Sequence, residues 1–184
     1  MNDSAPRRIV VTGSECTGKT TLAHDLAAHL DVAWVPEQSR AYAESVRREL
    51  TVHDVEPIAR AQRAAEEAGL AEARRRGDAC LVFDTDLVST VVYARHYYGS
   101  CPPWIVAEAR ARRAEVYLLG DIDIPWVGDT VRDRPFAREA MHELFRSALA
   151  EFGARPCVVR GLGPERLAAA LSCVGEALPG LQRR

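Results

Sequence analysis

An ammonium and a hydroxyl stand side by side at Lys19 and Thr20, closing the run Gly13-Ser14-Glu15-Cys16-Thr17-Gly18-Lys19-Thr20. The spacing fits G-x-x-x-x-G-K-[ST], in which glycines let backbone N–H groups turn inward around phosphate oxygens. A compact ammonium suits the β/γ-phosphates where a planar guanidinium fits poorly. The rest of the chain sharpens the point: Lys19 is its only lysine, beside 23 arginines. Thr20 offers its hydroxyl to Mg²⁺, and Thr21 continues into the next segment. Gly13 through Thr21 are therefore candidate contacts to ATP, with Mg²⁺ as the accompanying cofactor.

Three carboxylates could complete such a site. Asp84 ends the apolar run Leu81-Val82-Phe83, where a carboxylate has no obvious packing use and could hold Mg²⁺ together with Thr20. Glu37 follows Val35-Pro36, and Asp86 follows Asp84-Thr85. A carboxylate in either place could take the proton of an acceptor hydroxyl. Each also has a structural alternative, Glu37 as a charge at a helix start and Asp86 as an N-cap. Further along, Gly128 to Arg138 carries Arg132, Arg134 and Arg138. Arginines there could close over transferring phosphoryl oxygens and exclude water, or be solvated helix charges. Trp126 is either core packing or a stacking platform. No glutamate follows Asp84, so an activated water, and hence hydrolysis, is disfavoured. No second lysine exists for an Asn/Thr-Lys-x-Asp guanine-reading element. Phosphoryl transfer to a small acceptor remains, a reaction that rests on positioning and charge neutralisation.

These residues need a scaffold, and the periodicity supplies one. Arg8–Thr12 is a β-branched run before the loop, and Leu22, Leu26 and Leu30 form a helical stripe after it. Further strands are expected at 32–35, 80–83, 116–119 and 157–159. Helices are expected at 37–50, 55–76, 86–98, 104–113, 134–152 and 164–178. Gly69 lies inside the long second helix of this set, where it weighs against one straight rod, and Gly77 stops it. Strands alternating with helices imply an α/β fold: a five-stranded parallel sheet flanked by helices, with right-handed crossovers. The 184 residues are expected to be one domain, with an arginine-bearing lid at about 125–140.

Composition excludes several classes. A net charge of −2 gives no sign of nucleic-acid binding, and no apolar run approaches a membrane span. Met1 to Arg8 lacks a signal-peptide core, so a cytoplasmic location is expected. The five cysteines form no C-x-x-C pair, so neither a zinc site nor a redox pair is expected, and Cys80 and Cys157 read as small core residues. The five histidines show no metal spacing.

Together these motifs resemble the ribosylnicotinamide kinase domain of NadR-type proteins and its stand-alone P-loop relatives, over most of the chain from Val10 to about Leu149. The loop, with Glu15 in place and Cys16 for a serine, is similar to the family's Gly-x-Glu-Ser-Ser/Thr-Gly-Lys-Ser/Thr. Pro36-Glu37-Gln38-Ser39-Arg40 keeps the family's Glu and Arg, Asp84-Thr85-Asp86 and Thr90 match its strand end, and Trp126 to Arg132 and Arg138 match its lid. The resemblance implies a P-loop, nucleoside-kinase-like fold. The implied activity is ATP-dependent phosphorylation of nicotinamide riboside to the mononucleotide, within NAD biosynthesis. It also implies substrate contacts at Glu37, Arg40, Asp86 and Trp126. The tryptophan that holds nicotinamide in bifunctional members is replaced by Pro36, with Trp34 two residues earlier. Their second aromatic, on the long helix, is replaced in the stretch Ala64 to Glu67. No His-x-Gly-His occurs, so their adenylyltransferase activity is not expected, nor is their DNA-binding domain. The expected partner is a small nucleoside, with no nucleic acid or membrane; the oligomeric state is open. Two other readings compete: an ATP-binding regulator with no small acceptor, and a kinase for another nucleoside, metabolite or polynucleotide end.

Overall fold

A computed structural model describes residues 5–124 and 137–181. Its strands are β1 (Arg7–Thr12), β2 (Trp34–Val35), β3 (Cys80–Asp84), β4 (Val116–Gly120) and β5 (Cys157–Val159). Its helices are α1 (Lys19–Leu30), α2 (Gln38–Val46), α3 (Val55–Arg76), α4 (Leu87–Tyr98), α5 (Pro103–Ala111), α6 (Ala137–Glu151) and α7 (Pro164–Ala177), with a 3-10 turn at Val52–Asp54. The strands form one parallel sheet in the order β2-β3-β1-β4-β5.

Side chains alternate across each strand, so both faces of the sheet must be covered. Ile9, Val11, Val82 and Leu118 meet Leu22 and Leu26 of α1 and Ala170 and Val174 of α7. Val10, Leu81, Phe83 and Leu119 meet Ala59, Val91, Phe145 and Leu149 from the helices on the other face. This double burial explains why the central strands read as unbroken apolar runs. Among the described residues no helix is long and apolar enough to cross a membrane.

Most expected elements lie within a residue or two of the observed ones; the expected start of the 134–152 helix lies outside the described residues, and two elements are shorter than expected. The second strand is only Trp34–Val35, because an edge strand pairs on one side alone, here with Val82 and Phe83. Helix α2 stops at Val46 instead of about residue 50. Arg47 turns left-handed (φ 51°), and Arg48 is drawn to Asp54 through two hydrogen bonds of 2.7 and 2.8 Å. Gly69 does not break α3; it is where the helix crosses β2, and a Cβ there would clash with Val35 Cγ2. One expectation is corrected. Cys157 is not a small core residue but forms a disulfide with Cys173, tying the edge strand β5 to α7. The partners are 16 residues apart, too far for a C-x-x-C search to find.

Candidate active site

Strands β1 and β3 pair with Val11 opposite Asp84, so the loop leaving β1 emerges beside the carboxylate ending β3. From β1 the chain crosses to β2 on one side, and from β3 to β4 on the other. Open parallel sheets bind ligands at the carboxyl ends of such a switch point.

The loop is held from within. Cys16 is left-handed (φ 56°), and Gly18, also left-handed, is the N-cap of α1 with no side chain capping the helix and no acid in its first turn. With a glycine at the N-cap and no acid in the first turn, this end of α1 favours an anion. Thr17 Oγ1 and Lys19 Nζ donate to the Ser14 carbonyl at 2.9 and 2.8 Å. Arg138, the one of the three arginines expected in a lid that falls within the described residues, donates to the carbonyls of Ile124 (3.0 Å) and Cys16 (3.4 Å). Trp126, Arg132 and Arg134 lie outside the described residues.

Thr20 Oγ1 donates to Asp84 Oδ2 at 2.6 Å. Asp84 is 1 % exposed, and its Oδ1 has no protein partner among the described residues. Burial pushes its carboxyl above the usual range and Glu37 adds to the rise, while Thr20, Lys19 and Arg40 oppose it. Lys19, Thr20, Glu37 and Arg40 are therefore electrostatic neighbours of one carboxylate. A buried carboxylate with a vacant oxygen beside a hydroxyl is a hard-oxygen donor pair that fits Mg²⁺.

Just after β2, Glu37 is half-buried. Its Oε1 accepts from Ser39 Oγ at 2.6 Å, and it makes no side-chain cap to α2. Arg40 is exposed. Asp86 takes a different position. It is 4 % exposed, one oxygen caps α4 by accepting from Val88 N at 3.0 Å, and the other accepts from Tyr117 Oη at 2.7 Å. Burial, then repulsion from Glu66, pushes its pKa up to about 6. Trp34 packs T-shaped with His24 of α1, 5.7 Å between ring centres.

Several polar residues here were not foreseen. Gln62 and Glu66 continue the inward stripe of α3 begun by Ile58, at a spacing of four. Gln62 accepts from Gln38 N (3.3 Å) and donates to the Thr85 carbonyl (3.4 Å), linking the Glu37 turn to the Asp84 turn. Glu66 is 0 % exposed and pairs with Arg8 at 2.7 Å, whose guanidinium lies 4.5 Å from the Phe83 ring centre. Burial raises the Glu66 carboxyl, with Arg8 the main opposing charge. A polar residue inside an apolar helical stripe was the available signal. Tyr117 and Arg166 had none, since nothing local distinguishes them from core and surface residues.

A phosphate-cradling loop, an open helix N-terminus and a carboxylate beside the loop hydroxyl, on a 2-3-1-4-5 parallel sheet, define the P-loop kinase fold. Residues 8–166 match the AAA_28 family of AAA domains, and the chain belongs to that family. Its fold is similar to a NadR protein in complex with NR, with a TM-score of 0.74 and 24% identity over 94% of this chain and 50% of that one. A NadR protein in complex with NAD and AMP-PNP gives 0.72 and 23% over the same shares. Thymidylate kinase from Ehrlichia chaffeensis gives 0.66 and 15% over 94% of this chain and 99% of that one. The chain thus spans about half the length of the NadR chains it matches. No curated protein matches the sequence significantly.

Proposed function

We propose that this protein transfers the γ-phosphoryl group of ATP to a hydroxyl of a small nucleoside, most simply nicotinamide riboside, giving the mononucleotide. The 184 residues act as one kinase domain, in the cytoplasm, with residues 125–140 as its cover. The observation that supports the reading is the Thr20–Asp84 hydrogen bond at 2.6 Å, which brings the phosphate loop against the end of β3 in a sheet where β2, followed by Glu37, is the next strand.

Gly13 to Thr21 would bind the triphosphate, with Lys19 releasing the Ser14 carbonyl to reach the β/γ-oxygens. Thr20 and Asp84 would hold Mg²⁺, which when bound neutralises charge on the phosphates. The acceptor oxygen attacks the γ-phosphorus, the bond to the bridging oxygen breaks, and the acceptor proton passes to a carboxylate. We assign that proton to Glu37 in preference to Asp86, because both Asp86 oxygens are engaged inside the fold. Arg40 and Trp126 would contact the nucleoside, and Arg132 and Arg138 the transferring phosphoryl. The NadR fold similarity supports nicotinamide riboside. The buried Glu66–Arg8 pair, in the helix stretch where the resemblance called for an aromatic, favours keeping other nucleosides in the test. ADP release is measured across a nucleoside panel. Stimulation by nicotinamide riboside supports the assignment, stimulation by another nucleoside corrects the acceptor, and a flat response points to a nucleotide-binding regulator.

A further inference from the structure

Arg166 is the third residue of α7 and only 3 % exposed. A cation is poorly placed in the first turn of a helix, and an arginine is seldom buried without dedicated partners. Its partners are specific. Nη2 donates to the Thr17 carbonyl (3.0 Å) and the Asp121 carbonyl (3.1 Å). Nη1 donates to Asp123 Oδ1 (2.8 Å) and the Gly161 carbonyl (2.9 Å). One guanidinium thus joins the phosphate loop, the chain leaving β4 and the turn entering α7. The junction is tight: a Cβ on Gly120 would lie 3.0 Å from Thr17 Oγ1 and 3.2 Å from Arg166 Nη2.

Peptide geometry gives this contact a consequence. In a planar trans peptide the C=O and the following N–H point in opposite directions. Holding the Thr17 carbonyl fixes where the Gly18 N–H points, and Gly18 is the N-cap of α1. The same logic applies at Ser14, whose carbonyl is held by Thr17 and Lys19, and at Cys16, whose carbonyl is held by Arg138. Of these anchors, only Arg166 is both buried and engaged in four hydrogen bonds. It lies 149 residues from the carbonyl it holds, so the loop motif alone does not encode it.

We infer that Arg166 is a positioning residue for nucleotide binding: by holding the Thr17–Gly18 peptide, it presents the loop N–H groups to the triphosphate. The inference rests on the kinase reading above. Its test is the Kd of Mg·ATP by calorimetry, with separate KM values for ATP and acceptor, on Arg166→Met, Arg166→Lys and Lys19→Ala beside the parent, all below their unfolding temperatures. Arg166→Met removes all four hydrogen bonds, of which the one to the Thr17 carbonyl bears on the loop; it should weaken ATP about tenfold, the scale of one charge-assisted hydrogen bond, and leave the acceptor KM within twofold. Arg166→Lys should fall between, because an ammonium cannot span the carbonyls and Asp123 as a planar fork does. If Arg166→Met does not fold, Arg166→Lys decides. A folded arginine variant that binds ATP like the parent, while Lys19→Ala does not, overturns this inference alone. Equal ATP binding by the parent and Lys19→Ala overturns the kinase reading instead.

Discussion

The donor and acceptor halves of the candidate site are built by different means. Around the phosphate loop, Val10 and Val11 of β1 and Leu22 and Leu26 of α1 are buried, and side chains hold the carbonyls of Ser14, Cys16 and Thr17. Helix α2, which follows Glu37, has no fully buried residue; Tyr42, Ala43 and Val46 are half-buried. It is held by polar contacts: Tyr42 Oη to Asp54 Oδ1 at 2.9 Å, Arg48 to the same carboxylate, and Gln62 to Gln38 N. Phosphates are the same in every nucleotide, so the donor half can be rigid and written in a short motif. An acceptor varies, and a segment with no fully buried side chain, tied by polar contacts at the edge of the fold, can change partners without disturbing the core.

Predictions follow this contrast from the largest effect to the smallest. Lys19→Ala strikes the donor half and should cut turnover about a thousandfold with the circular-dichroism spectrum preserved. Asp84→Asn should lower turnover about a hundredfold yet leave the Tm unchanged or higher, because it removes a charge that burial disfavours. A lower Tm there would mean the carboxylate serves the fold. Glu37→Gln should reduce kcat by roughly tenfold to a hundredfold while the KM for ATP stays put, since it belongs to the acceptor side. An equal loss in Asp86→Asn, with its fold intact, would move the base.

The tether of α2 is tested by acid. Asp54 is 2 % exposed, and Arg48, then the Thr51 N–H, holds its carboxyl well below the ordinary carboxylate range. Its folded pKa is lowered, so its stabilising effect is present above the unfolded value of about 4 and fades as the pH falls below it. Asp54→Asn should therefore lower the Tm at pH 7, and the gap from the parent should narrow below about pH 4. A constant gap would show that the charge is not what matters. The smallest effect on activity is expected at the disulfide. Cys173→Ser should cost about 3 kcal/mol of stability for a loop of this length, read by denaturant titration, with turnover at 25 °C close to that of the parent.

The same contrast explains what could be read from the sequence. The central strands announced themselves because burial on both faces makes them uniformly apolar. The loop was legible because phosphate cradling needs particular residues at fixed spacing. Asp84 was legible because a charge ending an apolar strand stands out. Asp86, Gln62, Glu66 and Arg166 were not legible as buried groups, because their burial depends on partners from other elements: Tyr117, Thr85, Arg8 and Thr17. The early end of α2 depends likewise on Arg48 reaching Asp54, and the disulfide on α7 settling over β5. Asp86 shows the limit most clearly, since the residues alone fit both a base and a cap, and only the tertiary contacts show which oxygens are engaged.

The most direct test of the account is the formation of ADP and a phosphorylated product with Mg·ATP and nicotinamide riboside, followed together by coupled assay and mass spectrometry, with Lys19→Ala as control. The account predicts ADP in step with a product heavier by one phosphoryl group, both lost in the variant. ATP binding by the parent, without a phosphorylated product from nicotinamide riboside or any other nucleoside tested, would contradict it.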